Sequence, residues 1–190
     1  MHRTYKLSAA LALTGAAAII LVSADRAADL RQTPAYVLGA ASGAGYRVHN
    51  TVAGFATPDL GSSHFKEVAR HMYEMAQVGP ADVDVVQCYE NFTGGVLMSL
   101  VEHGFFAPEE AMDFLKLENL VAPTGKLPLN TSGGNLAECY MHGLELQIEA
   151  TRQLRGQSTS QVPGAEVSLA VAGPMVTPVS TIILGSEATL

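Results

Sequence analysis

Tryptophan is absent and cysteine occurs only twice, at Cys88 and Cys139, in a chain of 190 residues. Two thiols without CxxC spacing give neither a disulfide framework nor a zinc ligand set, and they fit a reducing compartment. Basic side chains are also scarce. Eleven Lys and Arg stand against 18 Asp and Glu, a formal net charge of −7, and the cations are scattered. That balance excludes the positive stripe on which nucleic-acid binding depends. What remains is apolar: hydrophobic residues make up 48% of the chain, enough for one packed domain and too much for disorder. Neither tandem repeats nor a low-complexity tail interrupt it.

The longest apolar run, residues 7–24, follows Arg3 and Lys6 and ends in Val22-Ser-Ala24. By composition it resembles a secretory signal. Its Ala, Gly and Ser content makes it a poor membrane span. The competing expectation is a buried core strand over residues 15–23. A second strand is predicted over residues 35–41, punctuated by Gly43 and Gly45. Phe65, Val68, Ala69, Met72 and Ala76 recur at helical spacing and predict a helix that Gly79-Pro80 stops. Residues 83–89 read as a short apolar strand, 90–95 as a polar glycine turn, and 96–103 as a helix. Pro108 with Glu109 and Glu110 opens a further helix through Leu115. A helical pattern from Leu136 or Met141 to Leu154, a loop over 156–163 and strands over 166–172 and 179–184 complete an α/β order. The last pair reads as a hairpin or as neighbouring edge strands.

Strand, tight polar turn, then helix is where α/β folds present reactive groups. Tyr89 stands at such a strand end, and Tyr140 follows a Ser-Gly-Gly-Asn loop near a helix start. A phenol donates a proton readily and serves as a base only where its phenolate is stabilised. The structural alternative is a core tyrosine with a satisfied hydroxyl. Glu90, Asn91 and Glu138 flank the two tyrosines and either orient a ligand or are solvated loop residues. Cys88 and Cys139 read as buried spectators, and His142 as a second proton carrier or a packed helix residue. His64, His71 and His103 lack metal-ligand spacing. Gly133-Gly134 permits close approach of a ligand or a backbone.

The segment Asn130-Thr-Ser-Gly-Gly-Asn-Leu-Ala-Glu-Cys-Tyr-Met-His-Gly143 resembles the Asn-x-x-Gly-Gly loop and Gly-His-Pro-x-Gly element of the thiolase superfamily. The family histidine falls on Tyr140. Gln87-Cys-Tyr-Glu-Asn-Phe-Thr93 resembles the His-Asp-x-Phe element of the sterol-carrier thiolases, with the histidine on Tyr89. Thr14-Gly-Ala-Ala-Ala-Ile-Ile-Leu-Val-Ser-Ala-Asp-Arg-Ala27 is similar to the strand that begins a second thiolase half, without its customary Asp. The C-terminal family cysteine is missing from residues 173–178, and the nucleophilic one belongs to an N-terminal half. The resemblance implies one half of a thiolase fold, a mixed sheet flanked by helices in βαβαβαββ-like order. It implies a lead over residues 1–12 and a thiolase C-terminal-like domain over 13–190. The apolar run then becomes a core strand in a cytoplasmic protein without a membrane partner.

Tyrosine for histidine at both positions is similar to the thiolase-like lipid-transfer-protein aldolases of actinobacterial steroid catabolism. That resemblance implies a carbon–carbon lyase, not an acyltransferase. Such a lyase cleaves a β-hydroxyacyl-CoA to a ketosteroid and propionyl-CoA, with acyl-CoA as substrate and no cofactor. It implies Tyr89 and Tyr140 as catalytic, with Asn91, His142, Gly133 and Gly134 positioning the substrate. It further implies an OB-fold acyl-CoA-associated partner, and a dimer or dependence on an N-terminal half. A non-catalytic acyl-CoA or lipid carrier, or an inactive truncated protein, are the competing expectations.

Overall fold

The computed structural model describes residues 16–27, 29–45, 61–138 and 140–190. Cys139 lies outside them, as do residues 1–15 and most of the predicted 46–62 loop. A mixed four-stranded sheet runs in the order β1-β4-β3-β2. Its strands are β1 (Tyr36–Gly43), β2 (Val85–Cys88), β3 (Val167–Ala172) and β4 (Val179–Gly185). β3 pairs with β4 antiparallel and with β2 parallel, and β1 pairs with β4 antiparallel. The final two strands therefore form the middle of the sheet, not its edge. They are apolar on both faces, as inner strands must be.

Alternation divides the side chains between two layers. Val86, Cys88, Leu169, Val171, Val179 and Ile183 face one layer. It is made by α2 (Lys66–Ala76) and α3 (Thr93–Glu102). Phe65, Val68 and Met72 bring the α2 stripe into this core. Each such side chain contributes on the order of 1.5–3 kcal/mol. Gly39 lets α2 lie close to β1, because a Cβ there would sit 2.5 Å from the Met72 carbonyl oxygen. No side chain of its own caps α2. Glu102, the last residue of α3, accepts the Phe65 N–H at 2.7 Å and the hydroxyls of Ser62 and Ser63. On the other face, Ala150 and Leu154 of α7 (Leu144–Leu154) pack on Ala170 and Leu184.

Short helices complete the connections: α1 (Ala24–Ala27), α4 (Ala111–Phe114), α5 (Leu117–Leu120) and α6 (Gly134–Ala137). Three expectations need correction. Residues 16–23 form no strand, and Ile20 is 87% exposed. Among the described residues this run has no ladder partner, and an apolar stretch gains little from extension without one. Among the described residues the sheet thus has one strand fewer than the expected order. α3 starts at Thr93, inside the predicted glycine turn, and its first turn carries Gly95, where a Cβ would lie 3.2 Å from Pro174 Cβ. The helix expected from Leu136 or Met141 to Leu154 starts only at Leu144, after His142 and Gly143, whose φ angles are positive, and α6 ends before it at Ala137.

His103 is buried at the end of α3. Its Nδ1 lies 2.7 Å from the Ser99 carbonyl oxygen, which can only accept, so Nδ1 carries the proton. Nε2 then accepts from the Thr181 hydroxyl, 3.1 Å away. Burial pushes the His103 pKa down to about 4 from the ordinary 6.5. Below pH 6.5 the unfolded chain takes up a proton that the folded chain refuses. Stability present above that pH is lost as pH falls, on the order of 3 kcal/mol by pH 4. Urea unfolding from about pH 7 down to 4 is expected to show this fall. His103→Gln flattens it, and equal slopes in both proteins would refute the assignment.

Candidate functional site

The site begins at the carboxyl end of β2. The Tyr89 N–H donates to the Val171 carbonyl at 2.9 Å, which carries the ladder one residue past the strand. Tyr89 shares parity with Val85 and Gln87, so its ring enters the α7 layer, whereas Cys88 points into the opposite core. The ring packs against Gly143, where φ is +88° and a Cβ would lie 3.1 Å from Tyr89 Cδ2. Glycine answers both demands.

Tyr140 comes from the turn between α6 and α7. It is 42% exposed, while Tyr89 is buried. The two hydroxyls are hydrogen-bonded to each other, with ring centroids 6.1 Å apart. The exposed His142 presents its ring edge-on to Tyr140 at 5.1 Å. Burial, then the hydrogen bond to Tyr140 and the nearby Glu145 and Glu90 carboxylates, push the Tyr89 pKa well above the ordinary 10. Tyr89 is therefore held as a protonated phenol.

Two loops hold this pair. The free edge of β2 is met by residues 128–130: Val86 N–H donates to Pro128 O, and Asn130 N–H to Val86 O, both at 2.9 Å. Asn130 finishes the edge with its side chain. Its Oδ1 accepts from Cys88 N–H at 2.7 Å and its Nδ2 donates to Cys88 O at 2.9 Å. Glu90 then accepts from the Asn135 N–H, from Asn135 Nδ2 at 2.9 Å and from Asn130 Nδ2 at 3.3 Å. Gly134 leaves room for that carboxylate, and Gly133 abuts Ala137. The glycine pair thus serves the approach of the protein's own atoms.

The other expected residues divide clearly. His142 joins the pair. Asn91 Oδ1 instead accepts the Phe92 N–H at 3.0 Å, a local turn contact. Cys88 is a fully buried spectator whose pKa burial pushes up to about 12. Glu138 pairs with Arg152 at 3.1 Å. Among the described residues no group of three His, Cys, Asp or Glu could hold a metal ion. Also among them, no helix is long and apolar enough to cross a membrane. Glu145 escaped the sequence reading, although an acid in the first turn after a glycine break was its signal.

The thiolase C-terminal domain-like family profile matches residues 28–186. The chain belongs to this family. The match begins after the exposed apolar run. A steroid side-chain-cleaving aldolase of Thermomonospora curvata is 38% identical over 91% of this chain and 44% of its own length. A 17-hydroxy-3-oxo-4-pregnene-20-carboxyl-CoA lyase of Mycobacterium tuberculosis is 40% identical over 90% of this chain and 44% of its own. The solved Ltp2-ChsH2(DUF35) aldolase superposes with a TM-score of 0.81 at 38% identity, covering 89% of this chain and 44% of that one. The chain thus spans less than half the length of these relatives. In this thiolase-like half, Asn130→Ala strips Cys88 of both side-chain partners. Urea unfolding is expected to show a loss of about 2–3 kcal/mol. A loss under about 0.5 kcal/mol would show that the β2 edge is held by other groups.

Proposed function

We propose that this chain is the tyrosine-bearing half of a retro-aldolase that cleaves a β-hydroxyacyl-CoA of steroid side-chain degradation to a ketosteroid and propionyl-CoA. The single observation that carries the reading is the meeting of the Tyr89 and Tyr140 hydroxyls in one hydrogen bond, at a strand's carboxyl end. The names of the relatives support the substrate class.

Tyr140, the exposed member, acts as base in its phenolate form and takes the proton of the tertiary alcohol, with the Tyr89 hydroxyl donating to its oxygen. The alkoxide collapses to the ketone, and the carbon–carbon bond to the α-carbon breaks. Its electron pair moves to the α-carbon as a thioester enolate. Tyr89, held protonated by burial, gives its proton to that carbon and releases propionyl-CoA. The hydrogen bond between the phenols then returns the alcohol's proton from Tyr140 to Tyr89, so no net proton is consumed. His142 stands against the Tyr140 ring as a further polar group at the exposed end. The reading includes no cofactor. An acyl-CoA substrate goes with the cytoplasmic setting expected above. The name of the solved Ltp2-ChsH2(DUF35) aldolase supports a DUF35-type partner alongside the remaining part of a thiolase-like protein, and the reading keeps the OB-fold acyl-CoA-associated partner expected from the resemblance.

Release of propionyl-CoA from a steroid β-hydroxyacyl-CoA tests the reading. The assay uses this chain alone and the chain supplemented with the other part of such an aldolase and its DUF35-type partner. Cleavage is expected in the supplemented mixture, falling at least about 100-fold in Tyr140→Phe and in Tyr89→Phe. Acyl-CoA binding without cleavage, unchanged in both variants, would make the chain a carrier.

A further inference from the structure

Glu145 is 1% exposed and no described cation pairs with it. Its Oε2 accepts the Met141 N–H at 3.1 Å and its Oε1 the Gly143 N–H at 3.3 Å. Both donors belong to the turn that carries Tyr140 and His142. A buried carboxylate is costly unless donors surround it. Here two N–H groups and the amino end of the eleven-residue α7 supply that compensation. Gly143, one of the clamped residues, is also the surface on which the Tyr89 ring rests. One side chain therefore ties the backbone under Tyr140 to the contact under Tyr89.

We propose that Glu145 is a positioning residue that sets the Tyr140 hydroxyl against that of Tyr89 by clamping the 140–143 turn. This rests on the retro-aldolase reading for its kinetic consequence only. The clamp itself makes a claim about the phenols that holds without substrate. A serine or asparagine would satisfy one N–H without adding charge. The carboxylate satisfies two and also disfavours phenolate at Tyr89, which keeps the proton on the donor side. The titratable groups about Tyr89 are Tyr140, Glu145 and Glu90, with His142 beyond Tyr140.

Glu145→Gln is the decisive variant. An amide keeps the size, offers one acceptor in place of two and removes the charge. Ultraviolet titration of the phenols, with Tyr89→Phe and Tyr140→Phe to assign the signals, is expected to show Tyr89 ionising at lower pH in Glu145→Gln. In the supplemented cleavage assay kcat falls about 10- to 100-fold with KM changed little, as for a misplaced rather than missing group. Glu145→Ala, if it folds, shows the same split more strongly. An unmoved Tyr89 titration in folded Glu145→Gln overturns the proposal, as does a variant that loses stability while keeping its kcat. If no protein releases propionyl-CoA, the aldolase reading fails while the titration still decides the clamp.

Discussion

The outer edge of β2 is closed by a short backbone bridge at residues 128–130 and one amide side chain, rather than by a full strand. Parallel strand ends leave N–H and C=O groups that must find partners when buried. Asn130 supplies both for Cys88, and its positive φ turns the chain sharply into the Gly133-Gly134 loop. That loop delivers Asn135 to Glu90, which follows Tyr89 directly. Strand edge, loop and Glu90 are thus one continuous hydrogen-bonded unit, with Tyr89 next to it in the chain.

Carboxylates do much of the holding in this fold, and they do it with neutral donors. Glu102 gathers two hydroxyls and an N–H at the start of α2. Glu149 accepts from Thr131, Ser158 and Gln153 beneath the Asn130 loop. Glu90 and Glu145 do the same on either side of the tyrosines. Salt bridges among the described residues, such as Arg70 with Glu67 and Glu74, lie on the surface. There they count for little. The acidic balance of the sequence is therefore partly internal architecture.

Much of this was legible beforehand. The α2 stripe, the strands expected over 35–41, 83–89, 166–172 and 179–184, and the two tyrosines as candidates follow from periodicity, turn residues and the quoted motifs. What periodicity misses is partnership. Residues 16–23 have strand composition, yet a strand exists only with a neighbour to pair with. The turn before α7 is fitted to the Tyr89 ring at Gly143, a contact 54 residues away in sequence that no local pattern records. Asn91 stands two residues from a site tyrosine but is turned to its own backbone, since sequence distance does not fix direction at a strand end.

The sheet also acts as a partition between chemistries. At the end of β2 the thiol and the phenol are adjacent in sequence and lie on opposite sides of a wall one backbone thick. Any new reactive group that β2 adds beside the tyrosines has to arise at an odd-numbered position of the strand. A nucleophile at position 88 stays sealed in apolar packing, however reactive its side chain. Conversely, inserting or deleting a single residue in residues 85–88 would exchange the two faces and present sulfur where oxygen now stands.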